Sequence, residues 1–368
     1  MFPVTRPLLP DLDRVRHYLE QAHARAWLTN FGPLHEELTE RLKAYLGVEH
    51  LLLVSNGTLA LQVAYRVLGL TGRVLTTPYS FAATTSSLIW EGLEPVFVDI
   101  DSKSLNIDSA KLEAAGPASG IVAVHVYGNP CDVEALETFA AARGMPVLYD
   151  AAHAFGSTFD GAGLLRWGDA ATLSFHATKI FHTVEGGAIV FREEGAYRAA
   201  RELINFGIRA DGELGPFGTN CKLSEYHAAA GLALMDGIGE VVEHRSGLAA
   251  EYRNLLDGWV DFQAWSDRGR ENGAYMPVLL ADETQCVLLK AELEERGVQT
   301  RRYFYPSLNR TAATAAHSVR CPVSEDIASR VLCLPLYADL RLDEVRQVAE
   351  TVKDCLRSGN RASHGAVS

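Results

Sequence analysis

Between about residue 50 and residue 192, short apolar runs alternate with segments whose apolar positions recur every three or four residues. The runs are Leu51–Ser55, Arg73–Thr77, Pro95–Asp99, Ile121–Tyr127, Pro146–Asp150, Ala171–Phe175 and Gly187–Arg192. Most are apolar at every position instead of every second one, as strands are when both faces of a sheet are covered. The intervening Thr58–Leu68, Phe81–Trp90 and Val133–Ala142 have the spacing of helices that bury one face. This alternation predicts an α/β fold with an open, mostly parallel sheet and helices on both sides. Ligands in such folds gather at the carboxyl ends of the strands.

Leu223–Leu256, rich in Ala, Leu and Glu, reads as one long helix or two joined ones. After Gly258 the pattern changes to short strands (Ala274–Leu280, Val331–Leu334) between helices (Glu283–Arg296, Leu342–Leu356), the pattern of a smaller α+β unit. A chain of 368 residues exceeds the usual single core, so a large domain over 1–240 and a small C-terminal domain over 241–368 are expected. The small, polar tail 358–368 is expected to fray.

Hydrophobic residues at 48% and charged residues at 22% are those of a packed globular protein. The net charge of −12 argues against a broad nucleic-acid surface, though not against a local basic pocket. The six cysteines are far apart and none forms a CxxC pair, so free thiols in a reducing compartment are expected. The N-terminus lacks the basic-then-apolar pattern of an export signal, and no run approaches the ~20 apolar residues that span a bilayer. A cytoplasmic protein is expected.

Five places carry candidate chemistry. Ser55-Asn56-Gly57-Thr58 lies between a strand and a helix, where unpaired N–H groups and the positive helix end converge. It is either a phosphate loop or an ordinary helix cap, and there is no Walker A or GxGxxG to decide. Asp150 ends a strand, where its carboxylate either caps the next helix or acts as counter-ion to a pyridine nitrogen. Lys179, in Ser174-Phe175-His176-Ala177-Thr178-Lys179 ahead of Glu185-Gly186-Gly187, is either an exposed surface lysine or a Schiff-base amine. His176 and His182 are spaced wrongly for a helical pair of metal ligands, so no metal is expected. Phe81 follows a strand and either joins the core or lies on a cofactor ring. Asn220, in a Gly-rich loop before the long helix, either caps it or donates to a phosphate.

Together these segments, with Asn30-Phe31-Gly32-Pro33, Pro78-Tyr79-Ser80-Phe81, Asp150 through Gly156 and Gly218-Thr219-Asn220, resemble the DegT/DnrJ/EryC1/StrS sugar aminotransferases. The resemblance spans nearly the whole chain and implies pyridoxal-phosphate (PLP) fold type I, the aspartate-aminotransferase-like fold. It implies that Lys179 carries the cofactor and shuttles the proton, Asp150 pairs with the ring nitrogen, and Phe81 stacks on the ring. Gly57, Thr58 and Ser174 would hold the phosphate. Asn220 would reach the phosphate in the neighbouring subunit, making a homodimer part of the site. His153 stands where the family more often has glutamine, and its imidazole can still bond the ring's 3′-oxygen.

The resemblance also implies a two-step exchange in which L-glutamate gives its amino group to PLP, leaves as 2-oxoglutarate, and a nucleotide-linked keto sugar then takes it. Ser-Phe-His-x-x-Lys and the Arg301-Arg302-Tyr303-Phe304-Tyr305-Pro306 segment look like the branch acting at C4, which points to dTDP-4-keto-6-deoxy-D-glucose. A C3-keto sugar is the alternative. A sugar dehydratase on this scaffold would have histidine in place of Lys179, and a cofactor-binding regulator would not need Asp150, Lys179 and Ser174 together. A nicotinamide oxidoreductase would need the missing glycine fingerprint.

Overall fold

The computed structural model describes residues 1–365. Two helices, α1 (Leu12–Ala24) and α2 (Pro33–Leu46), precede the sheet. Pro33 opens α2 and Gly47 ends it in the left-handed conformation that glycine adopts without strain. The strands up to residue 191 are β1 (His50–Val54), β2 (Arg73–Thr76), β3 (Glu94–Phe97), β4 (Gly120–Val124), β5 (Val147–Asp150), the short β6 (Thr158–Phe159) and β7 (Ala162–Gly163), β8 (Ala170–Ser174) and β9 (Gly187–Phe191).

Seven of these form one sheet in the order β1-β9-β8-β5-β4-β2-β3. Its pairings are parallel except those of β9, which runs antiparallel to both β1 and β8. Alternate residues feed opposite faces: Leu51, Leu53, Ile121, Ala123 and Tyr149 join one buried cluster, and Leu52, Val54, Val122 and Leu148 another. That explains the continuously apolar strands, because each side chain meets a helical layer whichever way it points. Helices α3 (Gly57–Val67), α4 (Ala82–Trp90), α5 (Val133–Ala141) and α6 (Glu194–Leu203) supply much of those layers.

The fourth strand is shorter than the apolar run Ile121–Tyr127 predicts. It stops at Val124, and Tyr127 lies at φ 58° in a tight turn. Asn106 drives that turn, its side chain accepting from the Val126 N–H and donating to the carbonyls of Asn129 and Pro130.

The long helical region is two helices, α7 (Glu225–Met235) and α8 (Ile238–Leu256), interrupted at Asp236-Gly237. α7 is buried over Ala228–Met235 on every side, as an all-round apolar helix requires. α8 begins in the sheet's core at Ile238 and Val242 and ends in a separate cluster at Leu248, Tyr252 and Leu256. β10 (Gly269–Arg270) joins β6 and β7 in a small sheet. β11 (Met276–Leu279) and β12 (Val331–Leu334) pair antiparallel within the second cluster, covered by α9 (Glu283–Glu295) and α11 (Leu342–Gly365). α10 (Pro322–Arg330) leads into β12.

The tail departs from expectation: α11 continues through 358–365, while 366–368 lie outside the described residues. No proline follows Leu342, and Gly359, the one glycine inside the helix before its last residue Gly365, costs a helix only ~1 kcal/mol.

Candidate active site

The carboxyl ends of β1, β5 and β8 open on one cleft of about 320 Å³. Gly57, Thr58, Asp150, Ser174 and Lys179 all line it. Asn56 does cap α3, its Oδ1 accepting from the Leu59 N–H at 2.8 Å. The cap and the loop therefore coexist, since Gly57 and Thr58 in the first turn still present their N–H groups to the cleft. A Cβ on Gly57 would lie 3.0 Å from the Ser174 Cβ, and one on Gly187 would lie 2.7 Å from the Asn56 backbone carbon. Both glycines let the helix N-terminus close onto β8 and β9, forming a narrow cradle with hydroxyls of Thr58 and Ser174 at its rim.

Asp150 is buried at the end of β5. Its Oδ2 accepts from Thr84 Oγ1 at 2.7 Å and its Oδ1 from the Ala152 N–H at 3.1 Å. Burial raises its pKa, while the Thr84 and Ala152 bonds and the charge of Lys179 oppose that rise. The carboxylate is thus poised to welcome a cation more than its own hydrogen bonds can satisfy.

His153 is buried three residues on. Burial, reinforced by the Lys179 charge, holds its pKa well below the usual histidine value. Its Nδ1 accepts from the Tyr127 N–H at 3.3 Å, which puts the proton of the neutral ring on Nε2 as a donor. Its ring lies nearly parallel to Phe304 at 5.5 Å.

Lys179 follows β8 by five residues, and its Nζ donates to the Tyr275 hydroxyl at 3.3 Å. Phe81, just ahead of α4, lines the same cleft and is 56% exposed. Asn220 is not among the lining residues. It sits in an exposed loop, its Oδ1 accepting from Lys222 Nζ at 2.8 Å. His176 bonds Thr178 Oγ1 and His182 bonds the Leu8 carbonyl, and among the described residues no cluster of His, Cys, Asp and Glu is arranged to hold a metal.

Sequence reasoning missed Thr84, Tyr275 and the side chains of Tyr303 and Arg301, which line or brace the cleft. Thr84 follows Ser80 by four residues, and their hydroxyls meet at 2.7 Å, so the segment after Pro78-Tyr79-Ser80-Phe81 held the available signal. Tyr275 arrives from beyond residue 258, where nothing in the sequence marks it as a cleft residue, whereas Arg301 and Tyr303 lie in the segment noted for its resemblance to the C4-acting branch but were given no place in the cleft.

Residues 12–353 match the family described as the DegT/DnrJ/EryC1/StrS aminotransferase family. The chain is 40% identical over 361 residues to a dTDP-4-amino-4,6-dideoxy-D-glucose transaminase of Shigella dysenteriae, covering 95% of this chain and 98% of that protein. It is 37% identical over 359 residues to the Escherichia coli protein of the same name, covering 95% and 97%. Among solved structures, DesI in the presence of its TDP-sugar product has a TM-score of 0.92 at 35% identity, covering 100% of this chain and 96% of that one. Helicobacter pylori PseC, an aminotransferase involved in the biosynthesis of pseudoaminic acid, has a TM-score of 0.89 at 25% identity, covering 97% and 99%.

Proposed function

The chain belongs to the DegT/DnrJ/EryC1/StrS aminotransferase family, and from that premise we propose that it uses PLP to move an amino group from L-glutamate to dTDP-4-keto-6-deoxy-D-glucose, forming dTDP-4-amino-4,6-dideoxy-D-glucose. The observation that carries the reading is that Asp150 and Lys179 face one cleft, close enough for the lysine's charge to act on the carboxylate. The names of the two bacterial relatives support the sugar.

The residues fit PLP. The cradle of Gly57, Thr58 and Ser174 suits a phosphate, because a side chain on Gly57 would fill it. Asp150 is a buried carboxylate short of a cationic partner, the environment that keeps a proton on a ring nitrogen. The Nε2–H of His153 is a donor for the ring's 3′-oxygen, and Phe81 offers a ring face at the mouth. When bound, PLP supplies a protonated ring that stores the electron pair released at the substrate carbon.

The protein's own groups do the rest. Lys179 would hold the cofactor through its amine and, once freed by the amino donor, would take the proton from the donor's α-carbon and give one back on the cofactor's side of the bond. The same lysine runs these transfers in reverse for the keto sugar, giving ping-pong kinetics. Asn220 is proposed to serve the neighbouring subunit's phosphate in a homodimer. Its loop exposes Phe206, Leu214 and Phe217, the last 81% exposed, an apolar surface that association would cover. A cytoplasmic setting agrees with six cysteines that are all free and buried.

The test is spectroscopic. The protein reconstituted with PLP is expected to show a visible absorbance band that L-glutamate bleaches and dTDP-4-keto-6-deoxy-D-glucose restores, with the C3-keto isomer restoring it far more slowly. Lys179→Ala is expected to show neither band nor turnover. A wild-type protein that gives no band with PLP would overturn the assignment.

A further inference from the structure

Tyr275 is delivered to the cleft by a strap built for the purpose. Residues 272–274 precede β11 and are gripped from both sides. Asn272 Nδ2 donates to the carbonyls of His153 and Phe155 at 2.7 and 3.0 Å, tying the strap to the loop after Asp150. The buried Arg245 of α8 donates to the carbonyls of Gly273 and Ala274 at 2.9 and 3.0 Å. Gly273 lies at φ 65°, and a Cβ there would sit 2.5 Å from the Arg245 backbone, so only glycine fits.

The phenol so held meets Lys179 Nζ at 3.3 Å and packs edge-on against His153 at 4.8 Å and Tyr303 at 5.3 Å. The cleft that holds the amine is also lined by Asp150 at the end of β5, by His153 and by Arg301, His176 and Glu185, and the Lys179 charge acts on Asp150 and His153. The side-chain hydrogen bond to the amine is made by Tyr275.

Resting on the PLP reading above, we propose that Tyr275 is the positioning residue for the Lys179 amine during proton transfer. As Lys179 takes the proton from the donor's α-carbon, its neutral amine becomes an ammonium. The Tyr275 oxygen accepts one N–H of that ammonium and keeps the nitrogen over the atom that next receives the proton. In this step the α-carbon's C–H bond breaks, an N–H bond forms on Lys179, and the electron pair left at the carbon would pass to the bound cofactor's protonated ring. The strap makes the contact independent of substrate, so it is available in both halves of the reaction.

Tyr275→Phe keeps the ring and removes the oxygen. A lost hydrogen bond to a charged group predicts bleaching by saturating L-glutamate slowed roughly tenfold or more, with the half-saturating glutamate concentration little changed. The deuterium isotope effect with α-deuterated glutamate should rise, because proton transfer becomes slower relative to the other steps. In the cofactor-free protein, Lys179 should be acylated a few-fold faster by an amine reagent, read by peptide mass mapping, since its amine is no longer held against the Tyr275 oxygen. Tyr275→His, which restores a ring with a hydrogen-bonding nitrogen, should recover part of the rate.

A Phe variant with wild-type bleaching rate, isotope effect and Lys179 acylation rate overturns the proposal. So do Phe and His variants that are equally slow with an unchanged isotope effect, which would mean packing alone. Failure of the wild type to take up PLP would instead defeat the functional reading itself. If Tyr275→Phe does not fold, the acylation comparison between wild type and Tyr275→His decides: matching wild-type reactivity is expected to be lost only partly, and no difference from the unfolded protein's lysines in wild type overturns the contact.

Discussion

Thr84 Oγ1, one turn into α4, donates a 2.7 Å hydrogen bond to Asp150 Oδ2 at the end of β5. The bond joins two elements that meet only in the folded sheet, and it aims the carboxylate while opposing the rise in pKa that burial imposes. Thr84→Val keeps the shape and removes the donor. The carboxylate then costs more to keep charged, so its pairing with a cationic ring weakens. PLP affinity, read by titrating the visible band, should fall about tenfold. Unaltered affinity would show that Thr84 serves packing only.

Two glycines at the phosphate cradle should separate cofactor binding from folding. At Gly57 a Cβ would lie 3.0 Å from Ser174 Cβ and 3.2 Å from its Cα in β8, a milder clash beside the cradle, so Gly57→Ala should weaken PLP binding and lower thermal stability less than a change at Gly187. At Gly187 a Cβ would meet the backbone of Asn56 and Gly57 at 2.7 and 2.8 Å, where nothing yields cheaply. Gly187→Ala should therefore destabilise the whole sheet by about 1–3 kcal/mol in urea unfolding. The reverse ranking in the two measurements would contradict this division of labour.

Four buried histidines, His35, His125, His153 and His182, all held below the usual value by burial, predict how stability responds to acid. Burial, with the Arg201 charge, lowers His35 to about 4, and burial lowers His125 to about 3 and depresses His153 as well. Between the unfolded value of about 6.5 and those lowered values, the unfolded chain binds protons that the folded one refuses. Stability is therefore intact above that window and falls as pH drops through it, with a slope of about 1.4 kcal/mol per pH unit for each histidine. Urea unfolding at a series of pH values measures the slope. His35→Leu should reduce it by about one proton, and a slope identical to wild type would show that His35 does not contribute.

How much of this was legible depended on whether a signal was local. Strand residues covered on both faces leave unbroken apolar runs, so Leu51–Ser55 and Pro146–Asp150 fell within a residue or two of β1 and β5. Gly57, Asp150, Ser174 and Lys179 lie at strand ends in short motifs, and the fold gathers them at one cleft. The end of β4 was not legible, because it depends on Asn106, twenty residues earlier, bonding the turn at Val126. Thr84 looks like any polar residue in a first helical turn until Asp150 is set opposite it. Tyr275 gains meaning only when Arg245 grips Gly273 and Asn272 bonds the carbonyls of His153 and Phe155, contacts that the local sequence does not announce. The role proposed for Asn220 would need a second chain, and its own exposed loop says only that it is accessible.

The N-terminus of α2 shows the same dependence on distant partners and yields a prediction about stability alone. The N–H groups of Leu34 and His35 donate to Glu225 Oε2 and Oε1 at 2.9 and 2.8 Å, so a residue of α7 caps a helix some 190 positions earlier. Gly32 makes room for it, since a Cβ there would lie 2.5 Å from the Glu225 Cδ. Glu225 is fully buried, so Glu225→Ala leaves two donors without acceptors or water and removes a negative charge from the positive helix end. The loss should be about 2–4 kcal/mol in urea unfolding, with the PLP spectrum of the folded fraction unchanged. Glu225→Gln retains one acceptor oxygen and should lose about half as much. If the alanine variant unfolds at the wild-type urea concentration, the cap contributes nothing and α2 is held by its buried face alone.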